Sequence, residues 1–209
     1  MGADIQAFKV YEFAQSNDVT VVGGECRTVD VAGEHVIGGG HWPLSSIYGM
    51  TADQILAIEV VNPDGRFVTV SASENTDLYW ALRGGSGSTF GVVTSLNCKV
   101  YPVITSTVMT FSFEVGGVRT DFDYFTDHVE KGIYGYSSIF AAGPYAWSCR
   151  MQPFSATNYT AAELDTLVAP WVAQLNDLGN RKKHLITTGC NCGEIFLLIL
   201  ALTYPSRIS

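Results

Sequence analysis

Apolar residues near the amino terminus recur at helical spacing. Ala7, Val10, Tyr11 and Ala14 form one stripe and predict a short helix over residues 6–16. Asn17-Asp18 breaks it, and the β-branched run 19–22 reads as a buried strand that stops at Gly23-Gly24. The periodicity then disappears. Residues 22–53 mix glycines, a lone cysteine and two histidines with no sustained apolar period. Irregular, glycine-dense backbone of this kind lets something other than protein come close to the main chain. Order resumes with a strand over 54–61, the turn Asn62-Pro63-Asp64-Gly65 and a returning strand over 66–70, which together make a hairpin. Ser73-Glu74-Asn75-Thr76-Asp77 introduces a short helix over 78–82, with Asn75 or Thr76 as its N-cap and Asp77 in its first turn. A second glycine loop, residues 84–91, leads into one strand over 92–100, and Tyr101-Pro102 closes the unit.

Beyond residue 102 the rhythm changes. Residues 103–115 alternate like a strand with one buried face, setting Met109, Phe111, Phe113 and Val115 against Val108, Thr110, Ser112 and Glu114. Residues 118–131 read as a helix with Phe122, Phe125 and Val129 on one side. Residues 137–151 return as strand or hairpin around Gly143-Pro144. The clearest helix covers 160–178, where Leu164, Leu167, Val168, Trp171, Val172 and Leu175 make one stripe and Pro170 implies a kink. The order strand, helix, strand, helix predicts an α+β layer, an antiparallel sheet with helices on one face. The last stretch, 179–209, departs from this rhythm. It has no cap and no amphipathic period, and the apolar block 195–202 reads as a core strand without a following partner, as if the chain were interrupted.

Composition narrows the chemistry. The chain has 209 residues, of which 47% are hydrophobic and 15% charged, enough for a substantial core in one large domain or one and a half smaller ones. A net charge of -8 and the lack of a basic stripe argue against nucleic acid. No apolar run is long enough to span a membrane, and residues 1–13 lack the pattern of a secretory leader. Five cysteines fit no complete set of intrachain disulfides, and Cys190-x-Cys192 has no second pair nearby to make a metal site. Asn158-Tyr159-Thr160 is a glycosylation sequon.

Three clusters carry candidate chemistry. The first, residues 26–40, ends in Gly38-Gly39-Gly40, a path that can turn amide N–H groups toward a ring or phosphate; a plain multi-glycine turn explains it equally well. The second is Tyr48-Gly49-Met50-Thr51-Ala52-Asp53, in which Asp53 taken alone reads better as a turn cap. The third is the loop 84–91. Its Gly85-x-Gly87 does not make a dinucleotide fingerprint, because this loop follows a helix and opens a strand, the reverse of that motif.

In combination the clusters are far more specific. The order ECxTVxxAGxxxxGGGHxxLSSxYGMxAD, a hairpin with DGR, then ENTDLYWALRGGSGSTFGVVTS resembles the berberine-bridge-enzyme-like branch of FAD-linked oxidases. These carry the flavin-binding domain of the p-cresol methylhydroxylase and vanillyl-alcohol oxidase type. Within that branch the sequence looks closest to fungal secondary-metabolite enzymes, including the ergot-alkaloid oxidoreductases of chanoclavine formation. The likeness is strong over residues 2–102 and weak over 103–178. It implies that 1–102 is the C-terminal portion of the FAD-binding domain, 103–178 a partial substrate lobe and 179–209 an aberrant tail. It also implies FAD as cofactor, hydride transfer from a small organic molecule, and oxygen as the acceptor that restores the flavin.

The resemblance places Cys26 where some members attach the flavin ring through sulfur; a small buried apolar role is the alternative. Thr28, Val29, Gly33, Gly38, Gly39, Gly40 and His41 match the wall along the isoalloxazine and ribityl chain. Tyr48, Gly49 and Asp53 match the family's YGLAAD element, and Val93 stands where backbone bonds the flavin nucleotide. Asn75, Asp77, Leu78, Trp80 and Arg83 match a structural helix, with Trp80 read as core. Departures are Arg27 for a proline, Asp30 for a glycine, and Glu34-His35 for a glycine-rich pair. The pyrophosphate-gripping lobe, with its covalent histidine, and the segment that supplies the catalytic base have no counterpart in the 209 residues. His35, His128 and His184 are therefore not carried over, and no catalytic base is assigned. The competing expectations are an inactive remnant or interrupted gene, and a nucleotide-binding module without redox chemistry.

Overall fold

A computed structural model describes residues 1–87, 89–114, 118–144, 146–178 and 185–189. The chain divides into two compact units, Met1–Val103 and Ile104–Ser209.

In the first unit, helix α1 (Ala7–Ser16) buries Ala7, Val10, Tyr11 and Ala14, the stripe that its spacing predicts. Strand β1 (Val19–Val21) follows. The other strands of the unit are β2 (Ile55–Val61), β3 (Phe67–Ser71), β4 (Val92–Cys98) and β5 (Val100–Pro102). An antiparallel sheet has the order β3-β2-β4, and β1 pairs antiparallel with β5. Inward residues Ile58, Val60, Val70 and Leu96 lie at alternate positions and are all but fully buried. The hairpin turn closes as the sequence requires: Asn62 Oδ1 accepts from the Arg66 N–H at 2.9 Å, and Gly65 takes a φ of +76°. Short helices α2 (Ser45–Tyr48) and α3 (Thr76–Leu82) complete the unit, with a π turn at Val31–His35 and a 3₁₀ turn at Thr51–Gln54.

The second unit is a four-stranded antiparallel sheet of order β7-β8-β6-β9, from β6 (Ser106–Glu114), β7 (Ile133–Gly143), β8 (Ala146–Thr157) and β9 (Leu185–Gly189). Helices α4 (Val118–Glu130) and α5 (Ala161–Asp177) meet the same face. Trp171 of α5 is fully buried with its ring 5.0 Å from Phe111 and 5.5 Å from Phe154, and His128 of α4 lies 5.1 Å from Phe154. Thr160 caps α5 through a reciprocal box with Glu163, and Pro170 sits inside the helix, which continues as one element. This is the mixed α+β architecture expected, helices on one face of an antiparallel sheet.

Several local expectations are corrected. The predicted strand over 92–100 is two strands in two sheets. Lys99 interrupts it by donating its N–H to the Gln54 carbonyl, so that Val100 can pair with Val21. On α4 the inner residues are His128 and half-buried Tyr124, while Phe125 and Val129 are exposed. Trp80 is 79% exposed and is not core. Asn75 is the N-cap residue of α3, yet its side chain donates to the Thr69 carbonyl rather than capping. Leu185–Gly189, expected to belong to an irregular tail, pairs along β6. His184, Cys190, Cys192 and the apolar block 195–202 lie outside the described residues. Among the described residues no helix is long and apolar enough to cross a membrane.

Candidate functional site

The irregular stretch is fastened at its start by α1. Tyr11 Oη donates to the Gly24 carbonyl at 2.6 Å. The free amides at the helix N-terminus find their acceptors in the loop: Ala7 N–H meets the Val29 carbonyl at 3.0 Å and Phe8 N–H the Arg27 carbonyl at 3.1 Å. Gln6 Nε2 donates to the Thr28 carbonyl at 3.1 Å. Residues 27–29 are thereby held by backbone while the Cys26 thiol stands exposed beside them. Thr28 is also exposed, Val29 half-buried, and the Arg27 guanidinium rests 5.8 Å from the Phe8 ring centre. Cys26 is exposed here, unlike the small buried residue of the alternative reading.

The three clusters converge through backbone contacts. Thr51 and Ala52 donate to the carbonyls of Gly40 and Gly39 at 2.8 and 3.0 Å, joining the second cluster to the first. Ser86 N–H donates to the Ile37 carbonyl at 3.1 Å, and a Cβ on Gly84 would lie 3.8 Å from Gly39 Cα, joining the third to the first. Arg83, the residue just before the third cluster, donates from Nε to the Ala52 carbonyl at 2.7 Å and reaches Asp53 with a guanidinium NH₂ at 3.5 Å, which ties the start of that loop to the second. Gly38, Gly39, Gly40, Tyr48, Gly49 and Asp53 are therefore neighbours of one locus. Val93 is buried in β4 opposite Val60.

The glycines of this locus serve two purposes. At Gly33 an added Cβ would press within 2.8 Å of the Ala3 carbonyl, at Gly40 within 2.6 Å of Thr51, and at Gly49 within 2.8 Å of the Asp53 carboxylate. Those positions are glycine because protein atoms crowd them. Gly39, with φ of +98°, has nothing within 4 Å of such a Cβ, and Gly38 makes only ordinary contacts. Open backbone is found at the Gly38-Gly39 step, which precedes exposed His41, and at Gly84 and Gly87 of the third cluster.

His35 is the residue that sequence reasoning passes over. Its ring backs Gly24, where a Cβ would lie 2.9 Å from Cε1, and its Nε2 is 3.1 Å from Thr51 Oγ1. Burial, then the charge of His41, holds its pKa below the ordinary histidine value, which keeps it neutral at pH 7. A second unannounced residue is Gln54, buried beneath the YGMTAD stretch. Its Nε2 donates to the Tyr48 and Met50 carbonyls at 2.6 and 3.2 Å, and its Oε1 accepts from Tyr101 Oη. Tyr48 stacks on Tyr101 with centroids 4.1 Å apart, and Trp42 Nε1 donates to the Gly49 carbonyl at 2.7 Å. Asp53 caps its own turn, accepting from the Met50 N–H at 2.9 Å. A lone histidine and a lone glutamine carry no periodic signal, so only the fold could single them out. Among the described residues no cluster of His, Cys, Asp or Glu could hold a metal ion.

An exposed thiol on a backbone-anchored loop, together with an open glycine step, suits a flat heteroaromatic ring approached by main chain and tethered through sulfur. No family model matches the sequence. It is 36% identical over 184 residues to the FAD-linked oxidoreductase ZEB1 of Gibberella zeae, covering 84% of this chain and 32% of that protein. It is 42% identical over 114 residues to the VAO-type flavoprotein oxidase VAO615 of Thermothelomyces thermophilus, covering 54% of this chain and 20% of the oxidase. The solved structure of the VAO-type flavoprotein MtVAO615 from Myceliophthora thermophila C1 superposes with a TM-score of 0.87 at 28% identity, over 100% of this chain and 38% of that one. The glucooligosaccharide oxidase of Acremonium strictum, which carries a 6-S-cysteinyl, 8α-N1-histidyl FAD, shares the fold with a TM-score of 0.76 at 21% identity, over 100% of this chain and 42% of the oxidase. The homologues are thus FAD-linked oxidoreductases and VAO-type flavoproteins, and the fold is theirs. The chain spans about a third of the length of the first of these relatives.

Proposed function

We propose that this chain forms the isoalloxazine-facing part of the FAD site of a fungal oxidoreductase of the vanillyl-alcohol-oxidase type, working on a small organic molecule of secondary metabolism. The observation that carries the reading is the meeting of the three clusters, where Gly38, Gly39, Gly84 and Gly87 leave backbone uncrowded, in a unit whose Cys26 thiol is exposed. The relatives support FAD as the group that fits there. Once bound, FAD supplies the hydride acceptor for oxidation of a C–H bond next to an amine, hydroxyl or amide, with oxygen as the final acceptor.

The chain's own residues bind and orient. Cys26 would hold the ring through its sulfur, the thiolate being the nucleophile that such an attachment needs. Gly38 and Gly39 offer main chain to the ring face, while Thr28, Val29, Gly33, Gly40 and His41 complete the wall. Tyr48, Gly49 and Asp53 brace that wall through Gln54, Trp42 and Arg83, and the Val93 backbone faces the nucleotide. We assign residues 1–102 to the FAD-binding domain and 103–178 to the substrate lobe.

Co-expression with FAD tests the reading. The expected product is yellow, keeps its flavin after acid precipitation, and loses it in Cys26→Ala. A soluble, folded chain that takes up no flavin would overturn the proposal and leave an inactive relative of these enzymes. Flavin that binds but washes out of the wild type in acid would remove the tether alone.

A further inference from the structure

One motif lies outside this site. Asn158-Tyr159-Thr160 occupies the turn between β8, which ends at Thr157, and α5, which begins at Ala161. Asn158 is exposed and holds a φ of +62°, the left-handed region that asparagine tolerates better than most residues. Its N–H donates to the Thr105 carbonyl at 2.8 Å, which anchors the backbone and leaves the side chain on the surface. A large group on Nδ2 would therefore displace nothing of the core. Thr160 is differently placed. Its Oγ1 donates to Glu163 Oε2 at 2.7 Å and accepts from the Glu163 N–H at 3.3 Å, and its own N–H donates to the same carboxylate at 2.8 Å. The hydroxyl that completes the sequon is committed to capping α5.

We propose that Asn158 is an N-glycan acceptor, modified before the N-terminus of α5 closes. The new bond joins Asn158 Nδ2 to the anomeric carbon of a sugar delivered on a lipid pyrophosphate. The anomeric carbon–oxygen bond to the pyrophosphate breaks, the amide gives up one proton, and the lipid pyrophosphate leaves. Once Thr160 caps the helix its hydroxyl is withdrawn from recognition, so the folded chain is a poor acceptor. The glycan is then carried on a turn whose geometry the left-handed asparagine already satisfies.

The full chain, expressed behind a cleavable secretory leader in yeast, provides the test. Peptide mapping should find residue 158 glycosylated, and enzymatic deglycosylation should leave aspartate there. Asn158→Asp keeps a residue suited to positive φ and should fold while losing the glycan entirely. Thr160→Ser keeps both cap and sequon and should retain it. Unglycosylated chain folded beforehand and then offered to detergent-solubilised microsomal enzyme with its lipid-pyrophosphate donor should stay unmodified, while the same chain kept unfolded should be modified. An intact, unmodified Asn158 in the secreted protein would overturn the assignment. Efficient modification of the prefolded chain would overturn the proposed order.

Discussion

Two adjacent glycines separate crowded from open backbone most sharply. At Gly40 the φ of +68° and the 2.6 Å approach to Thr51 act together, so Gly40→Ala incurs a left-handed backbone penalty and an overpacking penalty. Their sum is about 2–5 kcal/mol, which chemical denaturation of the unloaded protein would read. Gly39→Ala incurs the backbone term alone, roughly 1–2 kcal/mol, because nothing stands near its added methyl. On the proposed function it should nevertheless lose flavin retention beyond what its stability change explains. If Gly39→Ala keeps full flavin and Gly40→Ala does not, the open step is not the ligand-facing one. The second residue-scale expectation concerns His35. Its folded pKa lies below the unfolded value near 6.5, so on acidification the unfolded chain takes up the proton first. Stability is therefore full above that value and falls as pH drops through it toward the lower folded pKa. His128 contributes with the same sign, through burial and Lys131 and against Asp127. Urea midpoints near pH 7.5 and pH 5.5 should show the loss, and His35→Gln should remove part of it. An unchanged slope in His35→Gln would assign the whole effect to His128 or elsewhere.

At the scale of elements, what could be read from sequence was whatever depends on neighbours in the chain. The stripes of α1 and α5 and the Asn62-Gly65 turn were of this kind, because each is set by a local period or by a residue that favours one backbone conformation. The alternation expected along β6 holds only from Met109 on, since Ser106, Thr107 and Val108 are all buried. Choices of partner were not legible. Nothing within residues 92–100 says that Lys99 must turn aside to Gln54 so that one apolar run serves two sheets. On α4 the apolar residues Phe125 and Val129 look inward by composition, yet the packed ring is His128, which stacks on Tyr124 and sits 5.3 Å from Trp171. The candidate site divides in the same way. Its three motifs stand out as sequence, but their convergence rests on hydrogen bonds from Thr51, Ala52, Arg83 and Ser86 that join loops far apart in the chain. The sorting of the glycines depends on Ala3, His35, Thr51 and Asp53, contacts that no spacing rule encodes.

At the scale of the whole molecule, each unit has a core of its own. The first is built on Ile58, Val60, Leu82 and Leu96, and the second on Phe111, Phe154, Leu164, Val168, Trp171 and Leu175. Trp171 has the greatest reach, with Phe111, Phe113, Phe154 and His128 all packed round its ring at 5.0–6.4 Å. Trp171→Ala removes these contacts at once and should cost about 3–5 kcal/mol. For a unit whose described residues form one sheet and two helices, that is a large share of a typical domain's stability. Because the loss falls on one core, hydrogen exchange should accelerate first in β6, β8 and α5, while the amides of Ile58, Val60 and Leu96 keep their protection. Flavin retention, if Cys26 and the glycine step carry it, should then outlast the loss of order in the second unit. Simultaneous loss of protection in β2, β4 and β8 would instead show one cooperative molecule, in which the flavin-facing half cannot be held without the lobe that follows it.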